Sequence, residues 1–350
     1  MPAGPPELTS SGADTAFLTS LLKRKRLWAT VLALVLLVWC VHDLDLQQVG
    51  QIVARLKYGY LIWAMFVVVG VLFIRSVRWR ILVNPMKAVS GTRMFSIYSL
   101  GQLGNLLFPA GTGTALRVLI LHKSEGVSKT GGASTVMLET LLDGLSLMVF
   151  LAGASVMLVL PDWLQRGQTY GAVVITAIFA LLVASIALRD RLGRKVERLR
   201  TRLSDRWHTR VSHLWTNFQE GVSSLRSIRH LILALVTSFA SWLGQLAVIS
   251  LLLYAFGLVL PTGAALVLMV MNTLLLVIPI TPGNVGTYQV ATVVGLSLFG
   301  VDKTDAVSYG IVLQATTYVP IACVGLYHYV RYARTLSGVR PDKEITEQNS

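Results

Sequence analysis

Two apolar stretches of this chain are interrupted by Pro, Gly and Asn, at matching places in its two halves. The first runs Gly101-Gln-Leu-Gly-Asn105-Leu-Leu-Phe-Pro109-Ala-Gly111-Thr-Gly113-Thr-Ala-Leu-Arg117, and the second Pro279-Ile-Thr-Pro282-Gly283-Asn284-Val-Gly286-Thr-Tyr288-Gln289. Such breaks matter because the rest of the chain reads as membrane-embedded. Of its 350 residues, 54% are hydrophobic and only 14% charged, against roughly 25% charged in an ordinary soluble domain. The mean hydropathy is +0.63, and several runs reach the roughly 20 apolar residues that span a bilayer. Inside hydrocarbon no water satisfies freed N–H and C=O groups, so broken backbone is tolerated only in protein or beside a polar cavity. A matched pair of breaks points to a transport site.

The expected fold class is an all-α polytopic membrane protein. Six spans are predicted, at about 27–42, 58–75, 132–160, 170–188, 231–256 and 304–330, and the broken segments at about 94–121 and 262–300 are additional. Residues 1–22 and 336–350 read as polar tails flanking one integral domain over 23–335, with halves of about 23–160 and 170–330. Lys23 to Arg26 followed by an apolar run resembles a signal peptide, but no small-residue cleavage site follows, so an uncleaved first span is expected.

The net charge of +14 is concentrated in loops beside spans, which indicates orientation rather than nucleic-acid binding. It places both termini on the cytoplasmic side. With that orientation each broken segment enters and leaves on one side. In the first, the arm from Met94 to Phe108 is about 22 Å long at 1.5 Å per residue, short of the roughly 30 Å core, so a re-entrant hairpin is expected. The second is open between a hairpin and two spans. The order span, span, hairpin, span then occurs twice with opposite starting sides, which is an inverted repeat. Within 189–230, apolar residues such as Leu192, Val196, Leu199, Leu203 and Trp207 recur every three or four positions among basic ones. This marks an amphipathic segment on the anionic leaflet.

Candidate binding residues cluster at the breaks. Arg117 follows Asn105, Pro109, Gly111 and Gly113 and is expected either to hold an anionic phosphate near the start of the hairpin's second arm or to lie close to the cytoplasmic face and snorkel. Glu139 and Asp143 are four apart, on one helix face, and intramembrane carboxylates point to function by default. Their alternative reading is a structural salt bridge. Pro282, Gly283, Asn284, Gly286 and Gln289 supply an uncharged half-site opposite. Arg75, Arg78 and Arg80 beside Trp79 are expected to gather anionic head groups, or simply to anchor the second span.

Cys40 and Cys323 both fall in apolar runs and imply no disulfide framework. No metal, nucleotide or cofactor motif is present, and no cofactor is expected. One enzymatic pattern remains. Asp43 and Asp45 follow the first span, where membrane glycosyltransferases that use polyprenyl-phosphate sugars place an acidic pair; the alternative reading is that they cap the short amphipathic helix carrying Leu46, Val49, Ile52, Val53 and Leu56.

Four segments together resemble a flippase-like membrane family that includes the transmembrane domain of lysylphosphatidylglycerol synthases. They are Arg75 to Arg80, Asn105 to Gly113 with Arg117, Glu139-Thr-Leu-Leu-Asp143-Gly, and Thr281 to Gln289. The resemblance covers roughly 70–330, without the soluble aminoacyl-transfer domain. It implies a protein that moves a phospholipid or lipid-linked head group between leaflets, with membrane lipids, anionic or polyprenyl-phosphate-linked, as partners. Related sequences carry charges at four positions that are neutral here, namely Gly111, Thr114, Thr140 and Gln289. The expected function is therefore a non-enzymatic lipid translocator. The alternatives are a polyprenyl-phosphate-dependent glycosyltransferase and a non-transporting partner of a cell-envelope lipid enzyme.

Overall fold

The computed structural model describes residues 46–108, 111–157, parts of 162–177, 228–261, 263–276 and 282–337. The expected first span, most of the expected span at 170–188, most of the basic segment at 189–230, Pro109 and the pair Asp43 and Asp45 lie outside the described residues. The described chain is helical: α1 (Leu46–Ala54), α2 (Tyr58–Val83), α3 (Gly91–Leu107), α4 (Thr112–Glu125), α5 (Lys129–Met157), α6 (Ile228–Phe256), α7 (Ala264–Leu276), a 3-10 turn (Pro282–Asn284), α8 (Thr287–Ser297) and α9 (Lys303–Ser337).

Among the described residues, four helices are long and apolar enough to cross a membrane: α2, α5, α6 and most of α9. The chain is thus a multi-pass membrane protein. The second span does not stop at Arg75 as expected. α2 continues to Val83, so Arg75, Arg78 and Arg80 all sit within one helix. Outward-facing side chains such as Trp63, Phe66, Tyr254 and Tyr327 are exposed, as lipid-facing surface should be.

The shorter helices form two hairpins. α3 has 17 residues and α4 has 14, about 25 and 21 Å at 1.5 Å per residue, so neither arm crosses the core. α7 and α8 are shorter, with 13 and 11 residues. This decides the open question about the second broken segment in favour of a hairpin. Ser90 caps α3 by accepting from the Arg93 N–H at 3.4 Å, and Gly126 ends α4 in a left-handed conformation, φ 68°.

Contacts along the helices fix their directions. At the start of α2 the Lys57 N–H donates to the Ala255 carbonyl at the end of α6, and farther along Arg78 meets Ser238. α2 and α6 are therefore antiparallel. α5 also runs against α2, since Thr135 meets Trp79 while Leu147, Phe150 and Leu151, farther along α5, share a core with Ala64 and Val68, nearer the start of α2. α9 runs with α2, because Tyr309 bonds Ile249 in α6 and Val324 packs with Leu72 and Trp79. Corresponding helices of the two halves thus point in opposite directions.

The packing repeats in the same sense. α2 with α3, α3 with α4, α4 with α5 and α2 with α5 correspond to α6 with α7, α7 with α8, α8 with α9 and α6 with α9. Across the halves, α3 with α9 and α2 with α9 correspond to α7 with α5 and α6 with α5, and α2 packs on α6 at the centre. This is an inverted repeat. One hairpin enters from each face, and their tips touch: a Cβ on Gly283 would lie 3.3 Å from the Leu106 carbonyl.

Close backbone approach holds the first hairpin, as expected where van der Waals contact between small residues drives membrane helix association. A Cβ on Gly104 would lie 2.8 Å from Gly113 Cα, and one on Gly113 would overlap the Gly101 carbonyl and the Asn105 amide. Gly113→Ala is expected to lose about 1–3 kcal/mol by overpacking. Gly153→Ala, with open space around it in α5, should be neutral or gain about 0.5–1 kcal/mol. Detergent thermal-shift assays of the two variants check this, and equal midpoints would contradict the tight hairpin.

Candidate functional site

Both breaks are stitched by side-chain amides. In the first, Gly111 takes φ 70°, and Asn105 reaches across from α3. Its Oδ1 accepts from the Thr114 N–H at 3.1 Å, and its Nδ2 donates to Thr114 Oγ1 at 3.4 Å. In the second, Gly283, Asn284 and Gly286 all have positive φ, of 60°, 51° and 82°. The Gly286 N–H donates to Gln289 Oε1 at 2.8 Å, and Gln314 Nε2 donates to the Gly283 carbonyl at 2.8 Å. Gln289 Nε2 in turn donates to Gln314 Oε1 at 2.9 Å. Gln289 therefore holds the turn and ties it to α9.

Behind the first hairpin lies a buried ion cluster. Arg78, 1% exposed, donates from Nη2 to Glu139 Oε1 at 2.6 Å and to Asp143 Oδ2 at 3.0 Å. Its Nη1 bonds Asp143 Oδ1 and also Ser238 Oγ at 2.9 Å. Arg117 donates from Nη2 to Glu139 Oε2 at 2.5 Å. Its guanidinium stands 4.7 Å from the Trp79 ring centre and 4.9 Å from that of Tyr98. Trp79 Nε1 donates to Thr135, and Trp242 Nε1 to Asp143 Oδ1, each at 3.0 Å. Two guanidiniums thus face two carboxylates, and the cluster's formal charges cancel. Of the two readings of Glu139 and Asp143, this geometry matches the salt bridge, with Asp143 also reaching the cavity described next.

Between the hairpin tips is a cavity of about 490 Å³. Asn105, Phe108, Gly111 and Thr114 of the first break line one side, and Asn284 and Tyr288 of the second line the other. The helices around it contribute Arg75, Asp143, Trp242, Gln245, Asn272, Thr273, Thr317 and Tyr318 among others. Its volume falls in the usual range of ligand sites, roughly 300–1,000 Å³.

The three arginines expected to work together are separated. Arg80 is exposed and donates from Nε to the Val89 carbonyl at 2.8 Å. Arg78 is enclosed in the ion cluster. Arg75 faces the cavity, 5.9 Å from the Trp242 ring centre, with its Nε buried and unbonded. Arg117, the expected phosphate holder, does not line the cavity. Its side chain is taken up by Glu139 and the two aromatic rings, so it fastens α4 to α5. Of these arginines, the one that lines the cavity is Arg75. Among the described residues, no group of three His, Cys, Asp or Glu side chains is arranged to hold a metal.

Sequence reasoning passed over Gln102, Gln245, Asn272 and Thr273. Their only signal is a polar side chain in an apolar run, and Asn272, between Met271 and Leu274, is the plainest case. In a membrane helix such a residue has a partner or a cavity.

Glu139→Gln is expected to cost about 3–5 kcal/mol, because it leaves Arg117 buried without its counter-charge. Adding Arg117→Met to Glu139→Gln removes the orphaned cation and should restore most of that loss. Equilibrium unfolding of both variants in mild detergent checks the coupling, and additive losses would refute it.

The family described as lysylphosphatidylglycerol synthase TM region matches residues 26–325. A UPF0104 membrane protein of Methanocaldococcus jannaschii is 23% identical over 224 residues, covering 63% of this chain and 90% of that protein. Another, from Methanothermobacter thermautotrophicus, is 22% identical over 300 residues, covering 81% of this chain and 88% of its own length. No solved structure matches the chain. With 300 contiguous positions matched, this chain belongs to the lysylphosphatidylglycerol synthase TM region family of membrane proteins.

Proposed function

We propose that the chain is a non-enzymatic translocator that moves the head group of a phospholipid or lipid-linked intermediate across the plasma membrane. The observation that carries this reading is the meeting of two hairpins, one from each face, at a polar cavity faced by Arg75, which makes no ion pair among the described residues. Moving a phosphate through hydrocarbon costs tens of kcal/mol by Born solvation. A cavity at the junction of two re-entrant hairpins removes most of that barrier, while the acyl chains stay in lipid.

In this reading Arg75 takes the phosphate by a charge-assisted contact, and the surrounding amides replace the water that the head group sheds. The ion cluster holds α2, α4 and α5 together, so that Arg75 stays aimed at the cavity. The inverted repeat supplies alternating access, because the two hairpins occupy equivalent places on opposite faces. The chain shows no nucleotide-binding motif, and the movement is assigned to an ion gradient or to the lipid gradient itself.

Arg75→Gln is expected to slow head-group translocation in proteoliposomes by about 10- to 100-fold, corresponding to the roughly 1.5–3 kcal/mol of a charged hydrogen bond. Its thermal midpoint should stay near wild type, since Arg75 bonds no other described side chain. Arg80→Gln, away from the cavity, should retain the wild-type rate. A stopped assay with a fluorescent phospholipid and an impermeant quencher reads both, and an unchanged rate in Arg75→Gln would remove the proposed anion site.

A further inference from the structure

We infer that the head group carried is uncharged and rich in hydroxyls, a polyol or sugar joined through a single phosphate, and not a cationic aminoacyl group. This rests on the translocator reading and names its substrate class. The first ground is charge. Among the described residues, Arg75 and Asp143 are the two charged side chains of the cavity wall. Asp143 is already committed, since its Oδ1 accepts from Arg78 and Trp242 and its Oδ2 from Arg78. One positive charge, that of Arg75, is left uncompensated, and it matches one phosphodiester. A lysyl ammonium would enter the same space beside Arg75, and the carboxylate it meets there among the described residues, Asp143, is already balanced by Arg78, which burial penalises.

The second ground is the set of orphaned hydrogen-bonding atoms. Arg75 Nε is a buried donor without an acceptor, as expected of a phosphate ligand in waiting. Asn272 and Asn284 show the complementary need. Asn272 Nδ2 donates to the Leu268 carbonyl at 2.9 Å, which fixes the amide's orientation and leaves Oδ1 buried without a donor. Asn284 Oδ1 is likewise buried without a donor. Buried polar atoms are nearly always satisfied, and an unsatisfied one calls for a missing partner. Both residues line the cavity together with Gln102, Gln245 and Thr273, and a wall of neutral amides and hydroxyls is matched by O–H groups, which supply hydrogen bonds without bringing charge.

Four lipids of matched acyl chains separate the possibilities when added to the purified full chain and read by native mass spectrometry. They are phosphatidylinositol (one phosphate with a polyol), phosphatidylmethanol (the same charge without head-group hydroxyls), lysylphosphatidylglycerol (the cationic case) and phosphatidylcholine. Phosphatidylinositol is expected to bind at least about tenfold tighter than each of the others. Asn272→Leu should reduce that preference over phosphatidylmethanol while leaving phosphatidylmethanol binding unchanged, and Arg75→Gln should weaken both. Equal binding of phosphatidylinositol and phosphatidylmethanol, or tighter binding of lysylphosphatidylglycerol, with Arg75 still required, overturns the head-group assignment and leaves the translocator reading in place. Binding of all four lipids that is indifferent to Arg75→Gln overturns both.

Discussion

Breaking a helix inside a bilayer frees backbone groups that hydrocarbon cannot satisfy, and much of this protein is arranged around meeting that demand twice. At the first break Asn105 gives the Thr114 N–H its acceptor from across the hairpin. At the second, Gln289 and Gln314 take the Gly286 N–H and supply the Gly283 carbonyl. The same residues therefore decide two things at once. They close the turns, and by bonding between arms or to α9 they set where each tip stops. Close contact at Gly101, Gly104 and Gly113 is a consequence, because Asn105 reaches Thr114 only when the arms lie backbone to backbone.

The two halves solve the matching problem of fastening the hairpin's second arm with different chemistry. In the first half α5 holds α4 through Glu139 and Arg117. In the second α9 holds α8 through Gln314 and Gln289. The geometry is related by the inverted repeat, but one fastening is ionic and the other is neutral. A buried ion pair is strongly directional and costly to break by halves, whereas an amide pair exchanges partners at about 1 kcal/mol per bond. The first hairpin is thus the more firmly fixed of the two. Arg78 extends that rigidity by joining α2 and α6 to α5.

How far the sequence reveals this depends on the kind of signal. The two breaks were legible because Pro, Gly and Asn inside apolar runs have few structural explanations. The pairing of Glu139 with Asp143 was legible because four-residue spacing sets both on one helix face. Which arginine meets the cavity was not legible. Arg75 and Arg78 lie three residues apart on one helix, and a small rotation of α2 against its neighbours sends one to the cavity and the other to the carboxylates. Arg117 looked equally suited while its distance from Trp79 and Tyr98 was unknown, and two aromatic faces turned it into a structural group. Gln102, Gln245 and Asn272 carry no pattern of their own. Only the packing of α3, α6 and α7 brings these amides onto one wall.

The cavity's character follows from what the ion cluster leaves over. Had Asp143 been free, the wall would present balanced charges and fit a zwitterion. Arg78 balances the charge of Asp143, and Arg78 and Trp242 together donate three hydrogen bonds to it, so the wall presents a cation among amides and hydroxyls. Gly111, Thr114 and Gln289, at the two breaks, are uncharged as well. Thr114 is committed to Asn105 and Gln289 to its own turn, so the tips meet the backbone needs of their turns without bringing charge to the cavity. Uncharged tips and an Asp143 balanced by Arg78 thus converge on one electrostatic outcome, an arginine facing a cavity lined by amides and hydroxyls.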